Sequence, residues 1–248
     1  MSFTVTVLGS SGMFATRDRA ASGYLLRSDN LTLWVDAGGG SWRNLLGYVD
    51  YDQLDGVILS HRHPDHTIDL FQLLHARMHG GDEPLPPIPL IANSETLERM
   101  DSYASDIPEA FNLTEVAVGG SIKLDTLAFS FFKMQHWCDT LGIRVEDGDG
   151  SWAFSSDTGP EGDVLELARE SDLFLCEATI QDSDPVSVGH LRASQAGEFG
   201  ASASVGRLVL THLPPASDLG LSLSEAAATA EGIPVELADD GKTYEVGA

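Results

Sequence analysis

A cluster of three histidines and one aspartate within six residues most constrains what this chain can fold into. The stretch ILSHRHPDH, residues 58–66, places His61, His63, Asp65 and His66 directly after a short apolar run. Neighbouring imidazoles repel each other when protonated, and burying them costs solvation free energy. A bound metal cation offsets both costs. The cluster therefore predicts a metal centre on the loop between a strand and a helix.

Three further candidate metal ligands follow apolar segments that lie far away in the sequence. His136 follows FSFFKM, Asp157 ends SWAFSSD, and His212 ends RLVLTH. Strand ends at one edge of a sheet converge in space, so these side chains are expected to join the first cluster. One tetrahedral zinc site uses about three protein ligands plus water. Six histidines and aspartates with one bridging carboxylate suffice for two metals, and such pairs promote in-line displacement at phosphorus.

The order of the apolar segments predicts an α/β protein. The chain starts with strands, and its second half alternates strands with helices, which fits two sheets sandwiched between helices. Ser41 and Ser94 are expected to cap helices. The tail VELADDGKTYEV is expected to form a hairpin that turns at Asp240 and Gly241.

Length and charge limit the classes of function. We expect the 248 residues, 1–248, to form one domain, because α/β domains of roughly 200–250 residues are common. The formal net charge of −24 disfavours binding to nucleic acid or to an anionic membrane. No apolar run approaches the roughly 18 residues of a membrane span. Two cysteines without a CxxC pair, and a beginning unlike a signal peptide, predict a cytoplasmic protein.

Six motifs in order give the chain a family resemblance. They are SHRHPDH, QHWCDTLGIRV, SSDTGP, CEATI, GHLRASQAG and LVLTHLPP. Together they resemble the metallo-β-lactamase fold, in particular its ribonuclease Z-like branch and compact actinobacterial proteins described as atypical cyclic-nucleotide phosphodiesterases. The resemblance implies a four-layer αββα sandwich, a metal-dependent phosphodiesterase activity and a homodimer.

The same resemblance implies roles for individual residues. The implied ligands of two divalent cations are His61, His63 and His136 for one, Asp65, His66 and His212 for the other, and Asp157 as a bridge between them. Zinc is the expected metal, with manganese as the alternative. His190 is implied to face the substrate phosphate, and Glu177 to orient His190. The family motif around Glu177 usually begins with histidine, where this chain has Cys176.

Further features are interpreted from the residues themselves. An imidazole such as His190 can donate a proton to a leaving oxygen near neutral pH. Asp36, after the strand-like LTLWV, either holds a ligand histidine or serves in a turn. The spacing of the histidines at 75 and 79 indicates one face of a helix. The GSSG loop, residues 9–12, either approaches a phosphate through its backbone or is an ordinary loop.

The predicted reaction is hydrolysis of a small phosphodiester, such as cAMP, with Asp65 both binding metal and accepting a proton. A competing hypothesis is tRNA 3′-end processing of the ribonuclease Z type. Relatives that process tRNA carry a long gripping arm between the third histidine motif and the bridging aspartate, and residues 137–156 are too few for it. A thioester or lactone hydrolase on the same fold is a third hypothesis, and a non-catalytic metal-binding protein is a fourth.

Overall fold

Two seven-stranded sheets lie face to face in a computed structural model that describes residues 2–247. The strands of the first sheet are β1 (Phe3–Gly9), β2 (Gly23–Arg27), β3 (Thr32–Ala37), β4 (Gly56–Ile58), β5 (Ile88–Ala92), β6 (Phe111–Glu115) and β14 (Thr243–Val246). Their order across the sheet is β14-β1-β2-β3-β4-β5-β6. Strands β3 to β6 are parallel, whereas β14, β1, β2 and β3 pair antiparallel.

The second sheet repeats this mixture of pairings. Its strands are β7 (Ser121–Leu124), β8 (Leu127–Lys133), β9 (Leu141–Glu146), β10 (Ser151–Phe154), β11 (Leu173–Glu177), β12 (Leu208–Thr211) and β13 (Val235–Leu237). Strands β10 to β13 are parallel, and β7 to β10 are antiparallel to their neighbours. Because β8 and β10 are both antiparallel to β9, they end at the same edge.

Helices cover the outer face of each sheet. They are α1 (Ser41–Leu45), α2 (Pro64–Thr67), α3 (Leu70–His79), α4 (Ser94–Tyr103), α5 (Ile107–Ala110), α6 (Val164–Ala168), α7 (Ala193–Ala203) and α8 (Leu219–Thr229), with a short 3-10 helix at Tyr51–Gln53. Apolar residues of α1, α3, α4 and α5 pack on the first sheet. Those of α6, α7 and α8 pack on the second sheet. The predicted α/β architecture with an αββα sandwich is confirmed.

The two-residue period of a strand explains how one segment serves two apolar layers. In β3, Leu33 and Val35 enter the core between the sheets, whereas Trp34 packs under the helices. In β10, Trp152 enters the core between the sheets and Ala153 faces the helices. Both faces of these strands are therefore buried, and their sequences are almost continuously apolar.

The predicted hairpin at the tail is wrong. Strand β13 extends the second sheet beside β12, and β14 pairs with β1 at the edge of the first sheet. The side chain of Asp240 accepts hydrogen bonds from the backbone N–H groups of Ser10 and Ala20. The turn is therefore anchored to the loop after β1, and the chain crosses from one sheet to the other instead of folding back.

Both serines that were expected to cap helices are instead first helical residues. Gly40 precedes α1 with a φ of 90° and no side-chain cap, and the Ser41 hydroxyl donates to the carbonyl of Gly38. At α4 the cap is Asn93, whose side chain accepts from the N–H of Thr96. An asparagine is as good an N-cap as a serine, so the sequence left two adjacent candidates.

In the part of the chain that the structure describes, no helix has the length and apolar character that crossing a membrane requires.

Candidate metal centre

Three candidate ligands, His61, His63 and His136, converge beyond the carboxyl ends of β4 and β8. The Nδ1 atom of His63 lies 3.1 Å from Nε2 of His61 and 3.1 Å from Nε2 of His136. Ligand atoms at about 2.0–2.1 Å from a tetrahedral zinc are separated by roughly 3.3 Å. These three nitrogens therefore have the spacing that one cation requires.

A second group of ligand atoms lies beside the first. Asp65 and His66 are on the single turn of α2, and His212 follows β12. The Oδ2 atom of Asp65 lies 3.3 Å from Nε2 of His212 and 3.8 Å from Nε2 of His66. One carboxylate oxygen and two imidazole nitrogens could hold another cation.

Asp157 lies between the two groups and presents a different oxygen to each. Its Oδ2 atom is 3.8 Å from Nε2 of His61 and 3.6 Å from Nε2 of His136. Its Oδ1 atom is 3.3 Å from Nε2 of His66 and 3.3 Å from Nε2 of His212. A carboxylate placed in this way can bind two cations at once, one through each oxygen.

Two buried polar atoms at this centre have no hydrogen-bond partner among the described residues. They are Nε2 of His66 and Oδ1 of Asp157, which lie 3.3 Å apart. A buried polar atom without a partner costs about 1–3 kcal/mol. A cation bound between these atoms removes that cost, so the residues present fit a metal.

The second nitrogen of three imidazoles is held by a neighbouring group. Nδ1 of His66 donates to Oδ2 of Asp36 at 2.7 Å, and Nδ1 of His136 donates to the carbonyl of Gly189 at 2.9 Å. Nδ1 of His212 lies 2.9 Å from the hydroxyl of Thr179. In a neutral imidazole a protonated Nδ1 leaves the lone pair on Nε2, which is the atom that faces the centre. Of the two interpretations of Asp36, the one that holds a ligand histidine matches the structure.

Three residues at the centre have a left-handed backbone. The φ values of Asp36, Ser156 and His212 are 55°, 54° and 55°. For residues other than glycine such a conformation costs on the order of 1–3 kcal/mol. Asp36 is the penultimate residue of β3, and Ser156 and His212 follow β10 and β12. The side chains of Asp36, Asp157 and His212 lie at the centre.

Burial and the surrounding charges lower the pKa of His61 and Asp157 and raise that of His66. Burial, together with the charge of His66, lowers the pKa of His61 well below its ordinary value. Burial also acts to lower the pKa of His66, but the carboxylates of Asp157 and Asp36 outweigh it and raise that pKa well above normal. For Asp157, burial is outweighed by His212 and His66, and the pKa is well below normal. A bound cation would displace the proton that the carboxylates stabilise on His66, because an imidazole must be neutral to bind a metal.

His190 and Glu177 form a buried pair at the rim of the centre. The Nδ1 atom of His190 donates to Oε1 of Glu177 at 2.8 Å. The carboxylate also accepts from the backbone N–H groups of Thr158, Thr179 and Leu191, so it cannot rotate away. The Glu177 carboxylate outweighs burial and raises the pKa of His190 to about 9. The pair therefore favours the protonated form of His190.

The ring of His190 faces both groups of candidate ligands. Its centroid lies 5.2 Å from that of His136 and 5.6 Å from that of His212, on which it stacks at an angle of 21°. A reacting group between the ligands and His190 would be within reach of both.

The structure brings together all seven candidate metal ligands, His190 and Glu177, and it adds other residues around them. Thr179 and Gly189 hold the candidate ligands His212 and His136 through hydrogen bonds, and neither was singled out from the sequence. Their signal was membership of the motifs CEATI and GHLRASQAG. The histidines at 75 and 79 lie on α3, apart from the centre. In the GSSG loop, the N–H groups of Ser10, Ser11 and Gly12 bond to other parts of the protein, so these three are not free for a phosphate.

The fold and the site define a hydrolase with a metal centre of histidines and aspartates. Residues 34–213 match the family model described as the beta-lactamase superfamily domain, and the chain belongs to this family. YhfI of Bacillus subtilis (strain 168), described as a probable metallo-hydrolase, is 30% identical over 85% of this chain and 86% of its own. Its crystal structure has a TM-score of 0.89 and covers 98% of this chain and 99% of that one.

Two other relatives extend the comparison. An uncharacterized protein of Mycobacterium leprae, ML1173, is 35% identical over 98% of this chain and 89% of its own length. A ribonuclease Z of Kineococcus radiotolerans is 26% identical over 94% of this chain and 89% of its own. The predicted relationship to ribonuclease Z is confirmed, and the chain is a metal-dependent hydrolase.

Proposed function

We propose that the protein hydrolyses small phosphodiesters, cyclic nucleotides such as cAMP in particular, with two divalent cations. The observation that carries the proposal is the position of Asp157, with one oxygen toward each group of ligands and His190 stacked beside them. Two cations about 3.5–4 Å apart suit in-line displacement at phosphorus.

The proposed ligands divide into two sets with a shared carboxylate. They are His61, His63 and His136 for one cation, Asp65, His66 and His212 for the other, and Asp157 for both. When bound, the cations supply positive charge for the phosphate oxygens and make water more acidic. Zinc is the proposed metal, because histidine and aspartate suit it, and manganese is the alternative.

His190 is the proposed general acid. Its Nδ1 atom is held by Glu177, so its Nε2 atom carries the proton that the leaving alkoxide requires. The Glu177 carboxylate favours the charged form of the ring, and that charge also attracts the phosphate. Glu177 makes four hydrogen bonds and acts as a positioning residue.

Asp65 is the proposed acceptor for the proton of the attacking water. Its side chain is less buried than that of Asp157, with a relative exposure of 15% against 3%. One oxygen of Asp65 lies near His212, and the other oxygen remains for a proton. Asp65 therefore combines metal binding with proton transfer.

The short region between His136 and Asp157 favours a small substrate over transfer RNA. This interval holds β9, β10 and the turn of Asp147–Gly150, and nothing that could reach a distant part of an RNA. The net charge of −24 also opposes the many phosphate contacts that RNA binding requires. RNA processing stays the second candidate, because a relative carries the name ribonuclease Z. A thioester or lactone substrate gives His190 and Glu177 no comparable role.

The test is hydrolysis of bis-p-nitrophenyl phosphate by the purified protein, with and without a chelator. We expect turnover that the chelator abolishes and zinc restores. A panel of cAMP, cGMP, 2′,3′-cyclic nucleotides and precursor tRNA then separates the substrates. Cleavage of precursor tRNA at physiological salt, without hydrolysis of any cyclic nucleotide, would reverse the order of the two candidates. Binding of metal without turnover of any ester would contradict both.

We further propose that residues 1–248 act as one domain, in the cytoplasm and as a homodimer. Pairing of β14 with β1 supports the single domain, because it joins the two ends of the described chain in one sheet. The free thiols of Cys138 and Cys176 support a reducing compartment. Light scattering of the purified protein tests the dimer, which the family resemblance implies.

A further inference from the structure

One tryptophan beside the candidate metal centre is exposed, although the residues that its ring contacts are partly or fully buried. The chain has four tryptophans, of which Trp34 and Trp152 are fully buried and Trp42 is half-buried. Trp137 is 59% exposed and directly follows His136. Single exposed apolar side chains are common on protein surfaces. This one contacts residues of the candidate site and leaves an apolar ring surface open beside it.

The orientation of Trp137 is fixed by contacts with three residues of the site. Its ring centroid lies 4.7 Å from that of His136 and 5.2 Å from that of His190, which it meets at 74°. Gly189 packs against the ring edge, and a Cβ atom there would lie 3.1 Å from Cε2 and Cζ2 of Trp137. The ring is therefore held at the rim, next to the general acid, with much of its surface open.

A cavity of about 740 Å³ borders this tryptophan. Its walls include His136 and Cys138 together with the apolar side chains of Met134 and Val118. Ligand pockets for small molecules typically measure about 300–1,000 Å³. The cavity has room for a nucleoside next to the residues that are proposed to hold the phosphate.

The charge around the cavity restricts what it can accept. Four carboxylates line it, against one lysine; they belong to Glu95, Glu115, Asp139 and Glu161, and the lysine is Lys133. A second phosphate would be repelled there, whereas an uncharged heterocycle would not. The cavity therefore suits the base of a mononucleotide better than the backbone of an RNA.

We infer that Trp137 is the platform on which the base of the substrate stacks, and that the substrate class is a nucleoside cyclic monophosphate. The inference rests on the proposed phosphodiesterase activity and adds the part of the substrate that determines specificity. Stacking of a base on an aromatic side chain contributes about 1–3 kcal/mol without selecting a sequence. Trp137 thereby contacts the substrate away from phosphorus and distinguishes cyclic nucleotides from cyclic diesters that lack a base.

The kinetic test compares two cyclic diesters, one with a base and one without. The substrates are the cyclic nucleotide that the wild type hydrolyses fastest and glycerol 1,2-cyclic phosphate. For Trp137→Ala we expect the ratio of kcat/KM between them to fall about tenfold, mainly through KM for the nucleotide. Trp137→Phe should keep the ratio within about threefold of the wild type, because phenylalanine also stacks. Tyr103→Ala, which removes an aromatic side chain that is 52% exposed on α4, is the matched control and should keep the wild-type ratio.

A binding test does not depend on turnover. Adenosine monophosphate should quench tryptophan fluorescence in the wild type but not in Trp137→Phe, and ribose 5-phosphate should quench neither. An unchanged kcat/KM ratio in Trp137→Ala, or equal quenching in Trp137→Phe, would overturn the inference. If the wild type hydrolyses no diester, the proposed function fails, and the fluorescence titration still decides whether Trp137 binds a base.

Discussion

Asp36 and His66 are joined by a 2.7 Å hydrogen bond between two fully buried side chains. The same carboxylate accepts from the backbone N–H and the hydroxyl of Ser60 and from the hydroxyl of Ser22, so four hydrogen bonds set its position. Through this bond the first sheet orients a residue of the candidate metal centre.

Replacing Asp36 by asparagine should weaken metal binding without removing any ligand. The amide has one oxygen and cannot accept all four hydrogen bonds, so His66 loses its fixed orientation. Substitutions of this kind reduce metal affinity about 10–100-fold. Metal content after dialysis against a graded chelator measures the effect. Asp29→Asn, in the exposed turn between β2 and β3, is the control. Equal metal retention in both variants would show that the bond to Asp36 does not support the centre.

Replacing Asp157 by asparagine tests the shared carboxylate. The amide nitrogen cannot bind a cation, so one of the two groups of ligands loses a donor. We expect the metal content to fall by one equivalent or more and kcat to fall by more than about 100-fold. The control is Asp163→Asn, which removes a nearby carboxylate that makes no cap hydrogen bond at α6. Wild-type turnover of Asp157→Asn would refute the two-cation proposal.

The Glu177→Gln variant should move the alkaline limit of activity. A general acid works while it is protonated, so the rate holds below the pKa of His190 and falls as the pH rises through it. Glu177 raises that pKa to about 9, and its neutral replacement lowers it. The alkaline limb of the kcat profile should therefore shift to lower pH.

Cations bound in the adjacent centre would also lower the pKa of His190. The quantity to measure is therefore the difference in the alkaline limb between the wild type and Glu177→Gln. Glu83→Gln, in an exposed loop, controls for the loss of one negative charge. Thermal unfolding shows whether Glu177→Gln is folded. A folded variant with an unmoved alkaline limb would remove Glu177 from the mechanism.

Gly38→Ala should damage both stability and metal binding. A Cβ atom on Gly38 would lie 2.0 Å from the backbone oxygen of Asp65 and 2.7 Å from that of Ser22. Overpacking of this kind costs typically 1–3 kcal/mol, which lowers Tm by roughly 2–4 °C for each kcal/mol. The displaced backbone also carries Asp65 away from His212. Gly81→Ala, whose nearest neighbour is a carbonyl oxygen at 3.6 Å, should match the wild type in Tm and in metal content.

Short apolar runs predicted many of the strands because both faces of those strands are buried. The chain starts with strands as expected, and β8, β10 and β12 end within a few residues of His136, Asp157 and His212. Parallel strands end at one edge, so convergence of these side chains followed from local pattern alone. The tail was misassigned because its turn is decided by bonds between Asp240 and the loop after β1, which no local pattern contains.

The sequence by itself determined which side chains could meet, since residue type and strand position are written in the order of the chain. Only the tertiary structure decided how they meet. The assignment of the two Asp157 oxygens, the bond from Asp36 to His66 and the left-handed backbone at His212 depend on two sheets packed against each other. The position of the Trp137 ring likewise depends on contacts with Gly189 and His190, which lie far along the chain. These contacts join residues far apart in sequence, and the free energy that fixes them comes from packing between layers rather than from local propensity.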